Sequence, residues 1–279
     1  MVVLPRYEKG LLTTPDGDRV PYLTLGDGPV PVVLIPGAGD GLATASDAAL
    51  RLAYFYRKRA HRYRMLLVSR RQPIPQGFTV EQHAGDYARA MESLGWGASV
   101  IECNSAGGPI GQWLAVRRPD LVRGLILSCT LHRTDPHTRA VLERWAELAR
   151  QERWDELNRS SVEHTFRPQT VEKYRRFFPL VRLLPRPRYP ERLERILEGL
   201  LDLDNRPILP GIEHPALVIG GEEDRVISAY VQREMAGLIT NSRLKLYPGY
   251  GHGNDQENPD YERQVDAFVR SSCERPRIR

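Results

Sequence analysis

Continuous apolar, β-branched runs alternate along this chain with stretches whose apolar residues recur at helical spacing. V-P-V-V-L-I (Val30–Ile35) is such a run, and runs of that type suit a strand buried on both faces of a sheet. Ahead of it, Gly10 to Thr14 and Arg19 to Leu25 flank P-D-G-D, a hairpin turn signal. Behind it come a glycine-rich loop, P-G-A-G-D-G, and a helical pattern from Ala43 to His61. Further strands read at Met65 to Ser69, Ala98 to Glu102 and Arg123 to Cys129, separated by helices from Thr79 to about Leu94 and from Ala106 to Arg117. Thr79 with Gln82 three residues on forms a capping box at the start of the first of those helices. Strand, crossover helix, parallel strand is the doubly wound α/β pattern.

The alternation breaks between about Leu131 and Asn205. That segment reads as helical, rich in Arg and Glu, with aromatics at Trp145, Trp154, Phe166, Tyr174, Phe177 and Phe178 and prolines at Pro179, Pro185, Pro187 and Pro190. Strands then resume at P-A-L-V-I-G and at Arg243 to Tyr247, with helices at Ser228 to Leu238 and Pro259 to Ser271. The chain therefore divides into an α/β core, 1–130 with 206–279, and an all-helical insertion, 131–205.

Composition narrows the function classes. The chain has 279 residues, 41% hydrophobic and 27% charged, which suits a soluble globular protein. No apolar run approaches the roughly 18 residues of a spanning helix, so no membrane partner is expected. The N-terminus lacks the basic start of a secretory signal, and a cytoplasmic location is expected. The net charge of +5 is carried by arginines interleaved with acids, as in E-R-L-E-R-I-L-E. That is a salt-bridged helix face, and no nucleic-acid partner is expected. Cys103, Cys129 and Cys273 have neither disulfide-framework nor zinc-site spacing, so reduced thiols and no metal are expected.

Candidate chemistry begins at V-I-E-C-N-S-A-G-G-P (Val100–Pro109), where an apolar run stops at Ser105. A serine needs a base to take its proton and a third group to orient that base. A tight turn at the carboxyl end of a parallel strand exposes the serine and leaves the Ala106 N–H at the positive start of a helix. Gly107 and Gly108 let that helix approach the sheet. The usual form of the turn is G-x-S-x-G, and Cys103 stands in place of the first Gly. Asp224, in G-G-E-E-D-R-V, lies just past a strand on the same rim; Glu222 and Glu223 compete for its role. His252, in Y-G-H-G-N-D, has a glycine on each side and little packing purpose, which makes it the candidate base.

The order Ser105, Asp224, His252, with a helical insertion between the first two, resembles the α/β-hydrolase superfamily over nearly the whole chain. L-V-S-R-R-Q-P-I-P-Q-G-F-T and S-A-G-G-P-I-G-Q-W-L-A-V-R-R-P-D-L-V-R-G-L-I-L carry the resemblance. It is nearest to bacterial esterases and lactonases, the enol-lactone hydrolase and macrolide-esterase branches included. The resemblance implies a mostly parallel eight-stranded sheet flanked by helices, a helical lid, and a nucleophile, acid and base at Ser105, Asp224 and His252. It also implies an oxyanion hole from the backbone N–H groups of Ala38 and Ala106, with Pro36 where many such enzymes have His. Gly37, Trp145, Phe177 and Phe178 are candidates to line the substrate pocket, and V-R-L-L-P and I-L-E-G-L-L add apolar surface. The expected activity is cleavage of a carboxylic ester or lactone, a bulky apolar ester or macrocyclic lactone in particular, with no cofactor. Carbon–carbon bond hydrolysis, acyl transfer and a non-catalytic ligand-binding role on the same scaffold are the alternatives.

Overall fold

The computed structural model describes residues 4–176, 178 and 186–274. Eight strands form one sheet: β1 (Tyr7–Thr13), β2 (Arg19–Leu25), β3 (Val30–Ile35), β4 (Tyr63–Val68), β5 (Ser99–Asn104), β6 (Val122–Ser128), β7 (Ala216–Gly221) and β8 (Ser242–Tyr247). Their spatial order is β1-β2-β4-β3-β5-β6-β7-β8. β2 is antiparallel to β1 and β4, and every pairing from β4 to β8 is parallel. The chain steps from β3 outward to β4, then crosses back to lay β5 on the other side of β3. That reversal opens a crevice at the carboxyl ends of β3 and β5, where ligands bind in sheets of this kind.

Helices cover both faces: α1 (Ala49–Phe55), α2 (Val80–Ser93) and α3 (Gly108–Arg117) between strands, and α8 (Ala229–Leu238) and α10 (Tyr261–Glu274) near the end. Successive strand residues point to opposite faces. Ile101 and Cys103 of β5 therefore join Tyr87, Met91, Ile110, Leu114 and Met235 on one side. Val100 joins Ala53, Val265, Phe268 and Val269 on the other. Burying each large apolar side chain contributes about 1.5–3 kcal/mol, so both faces resist exposure. The capping box at α2 is present: Gln82 N–H donates to Thr79 Oγ1 (3.2 Å) and Thr79 N–H to Gln82 Oε1 (2.8 Å).

The helix expected from Ala43 to His61 is shorter, Ala49–Phe55 followed by one 3-10 turn, Tyr56–Lys58. Hydrogen bonds to side chains, one local and one from a distant segment, win at its start. Thr44 Oγ1 donates to Asp47 Oδ2 (2.7 Å), and Ala45 N–H donates to Ser69 Oγ (2.8 Å) from the end of β4.

Between β6 and β7 lie α4 (Pro136–Arg150), α5 (Trp154–Thr165), α6 (Pro168–Arg175) and α7 (Glu191–Leu201). Leu142, Trp145, Leu157, Leu193 and Leu197 form a third core with Ala106 and Val226, next to the strand ends that carry the candidate chemistry. Phe177, Pro179, Pro185 and the stretch V-R-L-L-P lie outside the described residues.

Candidate active site

β5 ends at Asn104, and Ser105 turns the chain with φ of 48°. A non-glycine residue in that left-handed region costs about 1–3 kcal/mol and persists only where surrounding contacts impose it. The next turn is a 3-10 turn, Ser105–Gly107, leading into α3. A Cβ on Gly107 would lie 2.4 Å from the Ile35 carbonyl oxygen, so the glycine lets the turn sit directly against the end of β3.

Cys103 has a counterpart across the turn. It is fully buried, and a Cβ on Gly111 of α3 would lie 2.2 Å from its sulfur. The side chain that β5 gains beneath Ser105 occupies space that α3 gives up. Burial pushes the Cys103 thiol pKa up, so the thiol stays neutral and acts as filler. Gly111→Ala is therefore expected to destabilise the fold by about 1–3 kcal/mol through overpacking. Cys103→Gly in the same chain should restore most of that loss in a thermal melt. If the double variant is no more stable than Gly111→Ala alone, the two positions do not share this space.

Asp224 follows β7 and His252 follows β8, so Ser105, Asp224 and His252 meet on one rim of the sheet. Asp224 Oδ1 accepts from the N–H groups of Val226 (2.8 Å) and Ile227 (2.9 Å). Its Oδ2 lies 2.9 Å from His252 Nδ1, and His252 Nε2 lies 3.0 Å from Ser105 Oγ. A carboxylate only accepts, so Nδ1 carries the ring proton and Nε2 accepts from the serine hydroxyl. Burial lowers the pKa of His252, but the Asp224 charge, its hydrogen bond and the charge of Asp255 outweigh that, and the net shift is upward. Glu222 turns to Arg233 (2.7 Å), and among the described residues neither Glu222 nor Glu223 hydrogen-bonds to His252.

The Pro36–Ala38 loop leaves β3 across from Ser105. Neither the Ala38 nor the Ala106 N–H has a protein acceptor among the described residues. A cavity of about 680 Å³ opens here, lined by Ser105, His252, Gly37, Ala38, Trp145 and Phe166. A second cavity, also about 680 Å³, lies behind Asp224 against His137 and Arg167 and contains neither Ser105 nor His252. Of the two, the first holds both Ser105 and His252. Trp145 lines it while its Nε1 donates to Ser160 Oγ (3.0 Å). Phe178 is not among the lining residues; its ring lies 5.7 Å from the Arg159 guanidinium carbon. Phe166, an aromatic of the insertion not singled out for the pocket, lines it instead.

The cavity floor is polar. Glu102 and Arg59 pair there (Nη1 to Oε1 3.1 Å), both buried, and Asp255 of α9 (Asn254–Glu257) joins the lining. Burial raises the Asp255 carboxyl to about 6. A carboxylate inside the apolar run V-I-E-C was the available signal, because a buried charge requires a partner.

A profile of the alpha/beta hydrolase fold matches residues 30–254. The 2-hydroxymuconate semialdehyde hydrolase of Pseudomonas putida is 26% identical over 219 residues, 69% of this chain and 73% of the relative. Among solved structures, an alpha/beta hydrolase enzyme from a Medee basin deep-sea metagenome superposes with a TM-score of 0.79 at 18% identity, covering 97% of this chain and 99% of the other. The enol-lactonase of Burkholderia xenovorans gives 0.71 at 24%, covering 92% and 96%. The match over most of its length and the topology around Ser105 agree: the chain belongs to the alpha/beta hydrolase fold family.

Proposed function

We propose that the protein is a serine hydrolase of carboxylic esters or lactones. The observation that carries this reading is the continuous relay Ser105 Oγ–His252 Nε2 (3.0 Å) and His252 Nδ1–Asp224 Oδ2 (2.9 Å), at the wall of a cavity. Ser105 Oγ attacks the substrate carbonyl carbon as its proton passes to His252 Nε2. The carbonyl oxygen becomes an oxyanion facing the Ala38 and Ala106 N–H groups. His252 then protonates the leaving alkoxide, and Asp224 stabilises the imidazolium. Water, deprotonated by His252, cleaves the acyl-enzyme and restores Ser105. The cycle uses protein groups and water alone.

In the same reading, residues 131–205 act as a lid on the core formed by 1–130 and 206–279. Trp145 and Phe166 bring aromatic surface from that segment to the cavity, which supports a bulky, largely apolar ester or macrocyclic lactone as substrate. A cytoplasmic location is part of the proposal, in keeping with three free thiols. The test is steady-state hydrolysis of p-nitrophenyl esters of increasing acyl length, simple lactones and macrolides, with Ser105→Ala as blank. Turnover of none of them by the native chain contradicts the reading.

Carbon–carbon bond hydrolysis is a second reading. It is favoured by the relative named for 2-hydroxymuconate semialdehyde, a substrate without an ester bond. Loss of dienoate absorbance on incubation, with ester substrates untouched, would select it.

The pH dependence follows from His252. The base must be neutral, and its pKa lies above the ordinary 6.5, so kcat/KM should rise with pH through a midpoint above 6.5. Asp255→Asn removes an anion that favours the imidazolium and should move that midpoint down. A midpoint that stays in place means Asp255 does not act on the base.

A further inference from the structure

Each N–H of the proposed oxyanion hole is one end of a rigid peptide plane whose other end is a carbonyl. The Ala38 N–H shares its plane with the Gly37 carbonyl, and the Ala106 N–H with that of Ser105. Each carbonyl accepts from a backbone N–H, Asp40 to Gly37 O (3.3 Å) and Gly108 to Ser105 O, and from a side chain as well. Arg70 Nη1 donates to Gly37 O (3.3 Å) and Pro36 O (3.2 Å), while Nη2 donates to Ala106 O (2.9 Å). Thr130, just past β6, donates its hydroxyl to Ser105 O. One guanidinium thus spans the two loops that face each other across the reacting carbonyl.

Arg70 is itself fixed. Its side chain is 2% exposed. Its N–H donates to Asp40 Oδ2 (3.0 Å), and its carbonyl accepts from Arg192 Nη1 of α7 (3.2 Å). Arg192 Nη2 donates to the same Asp40 oxygen (3.0 Å). Burial and three neighbouring arginines hold the pKa of His83 well below its ordinary value, so it adds no charge. Two guanidinium groups thus meet the Asp40 carboxylate beneath the loop that faces the developing oxyanion.

We infer that Arg70 and Thr130 are positioning residues of the oxyanion hole, acting through the Gly37–Ala38 and Ser105–Ala106 peptides. A donor at each carbonyl fixes the direction of the N–H at the opposite end and polarises it. Preorganised donors aimed at charge that develops in the transition state raise kcat rather than substrate affinity. The inference rests on the serine-hydrolase reading.

Two variants remove the donors and keep the volume. Arg70→Met leaves Asp40 and Arg192 as a balanced pair, and Thr130→Val replaces only the hydroxyl. The readouts are kcat and KM on the best p-nitrophenyl ester, and the Ki of a trifluoromethyl ketone that forms an anionic tetrahedral adduct with Ser105. Losing one whole donor costs about 100- to 1,000-fold, and a loosened donor costs less. The expected losses in kcat are about 10- to 100-fold for Arg70→Met and about 3- to 10-fold for Thr130→Val, with KM within about 2-fold. Ki should rise by the same factors, and Thr130→Ser should match the native enzyme. A merely structural role would lower the melting temperature and leave kcat and Ki alone. Native kcat in folded Thr130→Val, or a rise in KM with kcat unchanged, overturns the inference while Ser105 still reacts. An unreactive Ser105 in the native chain overturns the serine-hydrolase reading and this inference together.

Discussion

Ser105→Ala is expected to lower ester turnover by about 10⁶-fold, the order of loss seen when a triad nucleophile is removed. In the proposed reaction the substitution takes away the atom that attacks carbon. It removes no packing atom larger than the hydroxyl oxygen. Ala at a φ of 48° carries the same backbone strain as Ser, so the melting temperature should move by no more than a few degrees. Measured kcat and the thermal midpoint together separate loss of chemistry from loss of fold. Turnover within about 10-fold of native would mean that the reaction does not pass through Ser105.

Asp224→Asn should lower kcat by up to about 10⁴-fold through the histidine tautomer. The Asn oxygen can still accept from the Val226 and Ile227 N–H groups (2.8 and 2.9 Å), so the side chain keeps its place. Its NH₂ then faces His252 Nδ1, which must become the acceptor. The ring proton moves to Nε2, the atom 3.0 Å from Ser105 Oγ, and no lone pair remains to take the serine proton. KM should change far less than kcat, because in the proposed mechanism Asp224 orients the base rather than the substrate. Glu222→Gln and Glu223→Gln should leave kcat near native. A larger loss in either of them would show that the acid has been misassigned.

The parts of the fold that read directly from the chain are those in which local pattern and tertiary demand agree. V-P-V-V-L-I became β3 over the same residues because a central parallel strand is apolar on both faces. Arg19–Leu25 became β2 because the P-D-G-D turn sets its register against β1. That Ser105, Asp224 and His252 share one rim was legible because each follows a strand directly or within a short loop.

What stayed hidden depends on contacts between distant segments. Arg70, Asp40 and Arg192 come from three separate loops and helices, and nothing in S-R-R-Q-P marks one arginine as the brace of another loop. The fit of Cys103 to Gly111 requires knowing which face of α3 meets β5. The helix read from Ala43 began late because Ser69, at the end of β4, captures the Ala45 N–H. In the pocket, aromatic composition alone did not separate Phe166, which lines the cavity, from Phe178, which sits by Arg159.

Intact-mass and peptide analysis after incubation with a fluorophosphonate tests the central claim most directly. Only a serine beside a working base reacts fast with such a probe. The expected result is one adduct per chain on the tryptic peptide Ala90–Arg117, which contains Ser105, and none in Ser105→Ala. An adduct on another peptide, or no adduct on a chain that circular dichroism shows to be folded, would contradict the account.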